Sequence, residues 1–538
     1  MPSRPYIALA LAVAAAPAVA LTRGVVPPSA LSAEDPARVV RAALDAMGGD
    51  RTAAAGSWYV EGAGRENLTG EFQGLAPFAP TWRPHAECVA VETASGAIAW
   101  GRRSARNDQS VRWRRMIHRA EASGFVDWVS GASVMRPTGT TEDRRRALAR
   151  RIPHLLVREA AAWPLPLVPA PPRRIAGRDH DAVQLPLAQG GPLTLVFSRS
   201  PSILHAAEYA THMPARGDVA VRWEWTGWRP HPEFGFAPSG HRIDVDGVPF
   251  HEVTYSSNGP DAGRVGDALL TPESGAAHMA HGGGALAAPP FPAEGEVAPG
   301  VHVARVEGFT VMFVEFRDFV VALEAPAADF PGLQSIPADR PASQASRAYL
   351  ALIRKTRPAK PLRYVVVSHH HGDHMGGLRA FAEAGATVIV AAGERRAAEQ
   401  ALSRPHRIVP DGWKDGSAAK VEAVTDRRTI TDGDRRLEIV NVGRNPHTDD
   451  NLMSWLPAEG ILFQGDLFYY SDPADFPPLG RVVMNRFFAR WLAKARIAPR
   501  AIYGVHNSLV AGPEHLAAAA ADTRVPPPAG GLPGCQAK

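Results

Sequence analysis

Four histidines and an aspartate lie within six residues in the segment SHHHGDHMGG, residues 368–377. The segment follows the apolar run YVVV, a pattern typical of a buried strand. If the chain stays extended there, His369 and His371 point to the same side and can reach one cation. Asp373 and His374 follow at the turn and can face a second point nearby. Zn²⁺ accepts imidazole and carboxylate ligands at about 2.0–2.2 Å, so the segment predicts a metal site.

Three further candidate ligands come from distant parts of the chain. His447 follows the apolar segment RLEIVNV, Asp466 follows GILF, and His506 follows AIYGV. Each segment has the composition of a short strand, so each candidate lies in a loop directly after a strand. If these strands run in the same direction, their carboxyl ends meet along one edge and bring the side chains together.

These motifs also carry a family resemblance. SHHHGDHMGG, GRNPHTDDN, FQGDLF and GVHNS occur in this order and together resemble the motifs of the metallo-β-lactamase fold superfamily, whose signature is His-x-His-x-Asp-His. The resemblance covers residues from roughly 295 to 515 and implies an αββα sandwich with a two-metal site on one edge. Where the family often has Asp after its early strand, this chain has Glu324, which leaves the local loop conformation open.

The resemblance implies a role for each candidate ligand. One metal would be held by His369, His371 and His447, and the other by Asp373, His374 and His506. Asp466 would bridge the two metals. We expect two Zn²⁺ per chain, with Fe or Mn as alternatives.

The expected reaction is hydrolysis. Two divalent cations about 3.5–4 Å apart can lower the pKa of a shared water toward about 7. We therefore expect a metal-dependent hydrolase in which a hydroxide held between the cations attacks an ester-like bond, with Asp373 as the catalytic residue that orients it. The resemblance implies a small-molecule substrate. It leaves open whether this is a lactone, thioester, β-lactam, phosphodiester or sulfate ester, because the loops that select it vary.

Two other functions stay open. Related proteins with a single iron oxidise persulfides and use two histidines and an aspartate, and a non-catalytic metal-binding or lipid-binding protein is a further alternative. The presence of Asp373, His374 and His506 favours two metals over one iron. Tyr469 and Tyr470 could supply a proton to the leaving group, although packing is the more usual fate of such rings.

Other polar residues near the motifs are interpreted without a ligand role. His370 should face away from the site because it lies between two ligands on a strand. His406 and His515 are interpreted as ordinary surface or core histidines. Asp449 and Asp450 are interpreted as turn formers that could support the ligands from behind.

The elements that position these residues indicate an α+β protein. From residue 301 onward, short apolar strands alternate with helices, which predicts two packed sheets covered by helices. The first half is mostly antiparallel sheet with a few helices. DVAVRWEWTGW alternates with a period of two, and HRIDVDGVPFHEVTYSSN predicts a hairpin with Asp246 and Gly247 in its turn.

The first half also has a faint resemblance of its own. A leading helix and aromatic-rich antiparallel strands between about 30 and 270 resemble the lipoprotein-sorting type of exported half-barrel. This would imply a curved sheet that binds an acyl chain or a peptide. The alternative is a plain accessory domain, in which Trp223, Trp225 and Trp228 belong to the core and its rim.

The length of 538 residues exceeds what one hydrophobic core supports, which predicts more than one domain. The composition, 45% hydrophobic and 21% charged, is that of a globular protein. The predicted division is a signal peptide at 1–20, an antiparallel sheet domain at 30–270, a Gly/Ala/Pro-rich linker at 271–295, a hydrolase domain at 296–518 and a flexible tail at 519–538.

Net charge and targeting signals indicate which kinds of partner and which cellular location to expect. The net charge of +5 is small and the basic residues are spread out, so we expect no nucleic-acid partner. Arg4, the apolar stretch 7–16 and the A-x-A site at residues 18–20 predict export to the periplasm or outside. No later stretch is apolar for long enough to predict a membrane span. Cys88 and Cys535 could pair after export, and the oligomeric state stays open.

Overall fold

A computed structural model gives the fold of most of the chain. Four predictions fall wholly or partly outside the part it describes: the signal peptide at 1–20, the linker up to residue 285, the tail from 524 onward, and Cys535. Cys88 is described and lies buried in the N-terminal sheet. The structure describes residues 35–67, 81–105, 111–127, 133–137, 142–187, 191–269, 286–327, 343–414, 419–473, 476–478 and 481–523.

The N-terminal half is one large antiparallel sheet. Within the described residues, its strands follow the order β6-β5-β4-β3-β2-β1-β15-β14-β11-β10-β9-β8-β7. A separate two-stranded ribbon is formed by β12 and β13. The strands are β1 Ser57–Asn67, β2 Trp82–Glu92, β3 Ala97–Ala105, β4 Val111–His118, β5 Ala122–Asp127, β6 Ser133–Pro137, β7 Val168–Ile175, β8 Arg178–Leu185, β9 Leu193–Arg199, β10 Ser202–Met213, β11 Gly217–Thr226, β12 Arg229–His231, β13 Gly235–Ala237, β14 Gly240–Val245 and β15 Val248–Gly259.

The alternation in β11 has the predicted consequence. Val219, Val221, Trp223 and Trp225 are buried, whereas the residues between them are more exposed. The β14–β15 hairpin turns at Asp246 and Gly247, which both have positive φ, as a tight two-residue turn requires. This part of the sheet therefore turns one face toward a core, as the sequence predicts.

The helices are short and pack on the sheets. Pro153 cannot donate a backbone hydrogen bond, so it begins a new helix instead of continuing the helix that ends at Ala149. The helices are α1 Pro36–Ala46, α2 Asp50–Ala54, α3 Glu142–Ala149, α4 Pro153–Ala161, α5 Ala262–Leu269, α6 Gln344–Thr356, α7 Gly372–Met375, α8 Leu378–Glu383, α9 Arg395–Ser403, α10 Val482–Ala495 and α11 Pro513–Ala521.

The C-terminal half contains two more sheets. The first follows the order β16-β17-β18-β19-β20-β21-β22, and the second follows the order β23-β24-β25-β26-β27. The strands are β16 Gly295–Ala298, β17 Val301–Val306, β18 Phe309–Glu315, β19 Val320–Leu323, β20 Leu362–Val366, β21 Thr387–Ala391, β22 Val421–Val424, β23 Arg427–Thr431, β24 Arg436–Asn441, β25 Leu452–Leu456, β26 Ile461–Gln464 and β27 Ala501–Gly504.

These two sheets pack face to face and carry helices on their outer sides. Buried side chains such as Leu323 and Ile389 from one sheet meet Ile439 and Phe463 from the other in one apolar core. A second core joins α6, α8 and α9 to the outer face of the first sheet. A third joins α10 and α11 to the outer face of the second sheet. The predicted αββα sandwich and the antiparallel domain before it are both confirmed.

Strand direction explains how distant loops meet. In the second sheet β26 and β27 are parallel, and β24 runs in the same direction because β25 lies antiparallel between β24 and β26. In the first sheet β20 is parallel to β19 and β21. The loops that follow β24, β26 and β27 therefore leave the second sheet at one edge.

The two halves are in direct contact. Ala215, in the turn between β10 and β11, is buried in the core of the C-terminal domain. Next to it, the Asp218 amide donates to the Pro405 carbonyl at 2.8 Å. Arg404 forms an ion pair of 2.8 Å with Asp246. The β10–β11 turn thus anchors the N-terminal sheet to the second half of the chain.

The longest of the described helices, α10, has 14 residues. None of them, in the ranges given above, is both long and apolar enough to cross a bilayer.

Candidate metal centre

The HHHGDH segment leaves the end of β20 and enters α7. His369 and His371 lie in the irregular stretch between them and are buried. Asp373 and His374 lie in α7, where their carbonyls accept hydrogen bonds from the Ala327 and Ala325 amides at 3.3 and 3.1 Å. The loop after β19 therefore holds the short helix in place.

Three other loops supply the remaining candidates. His447 lies in a turn that is closed by Asn445, whose side-chain oxygen accepts from the His447 amide at 2.8 Å. Asp466 follows β26, and Gln464 fixes its loop by accepting from the Leu467 amide at 2.8 Å. His506 follows β27 directly. The backbone of each loop is thus held by a side-chain amide or by the strand itself.

The structure brings His369, His371, His447 and Asp466 together. Each offers a ligand atom within 4.8 Å of the others. His369 Nε2 lies 3.0 Å from His371 Nδ1 and 3.1 Å from His447 Nε2. His447 Nε2 lies 3.4 Å from Asp466 Oδ2. We call these four residues the first group.

Asp373, His374, Asp466 and His506 form a second group by the same criterion. His374 Nε2 lies 3.2 Å from Asp466 Oδ1 and 3.7 Å from Asp373 Oδ2. His506 Nε2 lies 3.0 Å from Asp373 Oδ2 and 3.4 Å from Asp466 Oδ1. Asp466 thus presents one oxygen to each group, and all seven predicted residues converge.

The donor atoms of both groups fit divalent cations. The donors are imidazole nitrogens and carboxylate oxygens, the set that Zn²⁺ prefers. His374 Nε2 and Asp466 Oδ1 are both buried, and the ion pair of 3.2 Å between them is their closest polar contact. A bound cation would replace this ion pair as the partner of the Asp466 carboxylate.

Comparison with known proteins agrees with this geometry. Residues 337–525 match the family model of the metallo-beta-lactamase superfamily. The C-terminal half contains a metallo-beta-lactamase domain. This superfamily implies a divalent metal, commonly zinc.

The chain is also similar to individual known proteins. Hydroxyacylglutathione hydrolase of Methylococcus capsulatus is 31% identical over 111 residues, which are 20% of this chain. The chain spans only about a third, 34%, of the length of that relative. The solved metallo-beta-lactamase FIM-1 of Pseudomonas aeruginosa, in its mono-zinc form, is 22% identical with a TM-score of 0.29 over 42% of this chain and 91% of its own. A metallo-beta-lactamase from Pontibacter korlensis is 18% identical, with a TM-score of 0.28 over 41% and 91%.

Burial sets the protonation of the first group in the metallo-beta-lactamase domain. It lowers the pKa of His371 to about 3, and it lowers the pKa of His369 and of His447 well below the usual range. Neighbouring imidazoles add to the effect because each disfavours a charge on the next. The three rings are therefore neutral at physiological pH, which is the form that binds metal ions.

The second group behaves differently because it holds more carboxylate. Burial alone would lower the pKa of His374, but Asp466, Asp373 and Glu324 outweigh it and raise that pKa well above the usual value. Asp466 and Asp373 in turn raise the pKa of His506 against the effect of burial. This part of the domain thus concentrates negative charge, and positive charge is stabilised there.

Glu324 has a role that the sequence did not reveal. Its Oε2 lies 3.5 Å from His374 Nδ1 and accepts from the Ser368 amide at 3.3 Å. Ser368 Oγ in turn lies 2.8 Å from His369 Nδ1. Glu324 has a φ of 73°, which a non-glycine residue adopts only under constraint. The available signal in the sequence was that Glu324 follows a strand-like segment at the place where the family often has Asp.

His370, Asp449 and Asp450 lie around the centre without joining either ligand group. His370 points away and contacts Glu394, with 2.8 Å between His370 Nδ1 and Glu394 Oε1. Asp450 accepts from the Gly393 amide at 2.7 Å, and Asp449 lies 3.2 Å from Arg444.

His406 and His515, which the sequence analysis interprets as ordinary histidines, are buried away from both ligand groups. His406 contacts Asp411 at 3.3 Å and lies against the ring of His212 from the N-terminal sheet. His515 is buried beside Tyr470 and Phe476. Both are packing histidines of the described structure.

The two tyrosines after Asp466 lie in different environments. Tyr470 is buried in the core beneath α10 and α11. The ring of Tyr469 lies nearly parallel to that of His506, with 6.0 Å between centroids, and Arg481 stacks on it at 4.1 Å. Tyr469 therefore forms a wall beside the second group, whereas Tyr470 is a packing residue.

Proposed function

We propose that this protein is a metal-dependent hydrolase that cleaves an ester-like bond in a small molecule. The observation that carries the proposal is the pair of ligand groups that share Asp466. Two complete groups favour hydrolysis over the chemistry of a single iron, which does not need the group formed by Asp373, His374 and His506. We also propose that the protein acts after export.

The ligands divide between two cations. His369, His371 and His447 would hold one cation, Asp373, His374 and His506 the other, and Asp466 would contact both. Bound together, two such cations supply a water of lowered pKa and polarise the bond under attack. The neutral rings of the first group offer lone pairs without first losing a proton.

Asp373 has the position of an orienting carboxylate. Its side chain is partly exposed, at 16%, whereas that of His374 is fully buried. Its Oδ2 lies 3.0 Å from His506 Nε2, which keeps the carboxylate at the open side of the second group. An acceptor in this place can hold a proton of the attacking water and direct its lone pair at the substrate.

The bond type is the least constrained part of the proposal. The name of the Methylococcus relative denotes cleavage of a thioester of glutathione, so we place thioesters first among the substrates to test. Lactones, β-lactams, phosphodiesters and sulfate esters follow, because the loops around such sites set the choice.

The test combines metal content with activity on a panel of these five bond types. The hydrolase centre of the purified protein is expected to hold about two zinc ions per chain, and the protein is expected to hydrolyse at least one member of the panel. His369→Ala should abolish that hydrolysis. His302→Gln is a matched control, since His302 lies in β17 and contacts Arg357 rather than the ligand groups. Equal rates for wild type and His369→Ala would refute the proposal, and one iron per chain would indicate an oxidoreductase instead.

A further inference from the structure

A second cluster of ligand-type side chains lies in the N-terminal sheet, outside the metallo-beta-lactamase domain. All its members are at most 5% exposed, and they come from four adjacent strands, β2, β1, β15 and β14. We call it the sheet cluster. It consists of Glu66, His85, Glu87, His241 and His251.

Glycine in the middle strand lets these side chains meet. On β1, Gly62 pairs with Glu87 and Gly64 pairs with His85. Because neither glycine has a side chain, the rings of His85 and His251 approach across β1 to 4.1 Å between centroids. A Cβ on Gly64 would lie 1.8 Å from the Glu252 carbonyl oxygen, so no other residue fits there.

Within the sheet cluster, Glu87, His241 and His251 have ligand atoms within 4.8 Å of one another. His241 Nε2 lies 3.5 Å from Glu87 Oε1. On the opposite side of the ring, His241 Nδ1 lies 2.9 Å from the Tyr255 hydroxyl. When Nδ1 carries the proton and donates to Tyr255, Nε2 presents its lone pair toward Glu87.

The other carboxylate oxygen of Glu87, Oε2, accepts hydrogen bonds from two buried side chains. Arg151 donates to Oε2 at 3.1 Å and Trp100 Nε1 donates to it at 3.2 Å. These contacts fix the carboxylate and leave Oε1 directed at the histidines. Metal ligands in proteins are commonly oriented by outer hydrogen bonds of this kind.

Three of the four ring nitrogens of His241 and His251 lack a hydrogen-bond partner in the described part of the chain. Among the described residues, His241 Nε2 and both ring nitrogens of His251 are buried without a hydrogen-bond partner. Burial lowers the pKa of His241 to about 4, and burial together with His85 lowers the pKa of His251 well below the usual range. Both rings are therefore neutral and offer lone pairs. A buried nitrogen without a partner is unfavourable unless something binds it.

The remaining pair, Glu66 and His85, forms an ordinary buried ion pair. Glu66 Oε2 lies 3.2 Å from His85 Nδ1 and accepts from Arg102 at 2.6 Å. Despite burial, hydrogen bonds to Glu66 and Glu87 raise the pKa of His85. Ion pairing accounts for these two residues. It does not account for His241 and His251, whose ligand atoms lie within 4.8 Å of each other and of Glu87.

We propose that Glu87, His241 and His251 bind one divalent transition-metal cation of the zinc class. Two imidazoles and a carboxylate are a common protein ligand set for Zn²⁺, with the fourth position left for water or for Glu66. Because the site joins three strands under the cover of Arg151 and Trp100, the cation would tie β2, β15 and β14 together. The site is separate from the hydrolase centre and does not depend on it.

The deciding experiment locates zinc in the full-length protein. Crystals grown with zinc chloride as the only added metal should give an anomalous peak at the zinc edge between Glu87, His241 and His251. Density at the hydrolase centre with none at this position would overturn the proposal. Because each peak is assigned by place, an empty hydrolase centre would not affect the outcome here.

A pair of variants gives the same answer in solution. His241→Gln should lose about one zinc per chain relative to wild type and should lower the melting temperature of the zinc-loaded protein. His205→Gln is the matched control, since His205 lies in the same sheet on β10 beside His180, outside the cluster. Its zinc content should equal that of wild type. An unchanged zinc content in His241→Gln would refute the assignment, and if that variant does not fold, the anomalous map decides alone.

Discussion

Replacement of Glu324 by glutamine tests how the second ligand group is held. The substitution keeps the size of the side chain and an oxygen that can accept from the Ser368 amide, but it removes the charge beside His374. Glu324 Oε2 and His374 Nδ1 are 3.5 Å apart and both side chains are buried. We expect the affinity for the second cation to fall while the first is nearly unchanged.

The size of the effect follows from the distance. Two unit charges 3.5 Å apart at an effective dielectric constant of about 20 interact by about 5 kcal/mol, which is the upper limit. A metal-bound imidazole carries only part of a charge, so the loss should lie in the range known for such supporting contacts, about 10–100-fold in metal affinity. This range corresponds to about 1.4–2.7 kcal/mol. The metal affinity of the first group should change little, because His369 contacts Ser368 Oγ and not Glu324.

The assay is a zinc titration against a competing chelator that resolves two affinities, together with the turnover number on the best substrate of the panel. Glu438→Gln is the control, since Glu438 is also buried but pairs with Arg436 on β24. The melting temperature of the metal-free protein should fall for Glu324→Gln, because His374 loses a buried charge partner, so the two zinc affinities decide the result rather than stability. The role assigned to Glu324 would be refuted if the variant bound the second zinc ion with an affinity within twofold of wild type. It would also be refuted if the zinc affinity fell equally at both sites.

Three further predictions follow from other parts of the chain. Burial lowers the pKa of His154 from 6.5 to about 4. The wild type should therefore lose about 3 kcal/mol of its free energy of unfolding as the pH falls from about 6.5 to 4. Denaturant titrations should show a smaller loss for His154→Gln. Asp218→Ala removes the acceptor of the Arg407 amide and should let the two halves unfold in separate calorimetric transitions; a single unchanged transition would contradict this. Expression in a bacterium with a Sec pathway should give a mature chain that begins at Leu21, as Edman sequencing of the exported protein would show.

The ligand types and their order along the chain could be predicted from the sequence. The dense HHHGDH segment directly after an apolar run has few uses other than metal binding, and His447, Asp466 and His506 each follow a strand-like segment. The fold class followed for a similar reason, because alternation with period two and short apolar runs between helices are local properties that the chain shows directly. The DG turn of the β14–β15 hairpin is local too, since it depends only on which residues tolerate positive φ.

Tertiary structure decided the rest, because it depends on which strands become neighbours. No local pattern places Glu324 behind His374, since that contact arises from the parallel pairing of β19 with β20. The sheet cluster is a stronger case: His85 and Glu87 lie more than 150 residues before His241 and His251, and the four lack ligand-like spacing. They meet only because β2, β1, β15 and β14 are adjacent and because Gly62 and Gly64 leave the space between them open. Sequence determined the chemistry that each segment can carry, and strand pairing determined which of these groups act together.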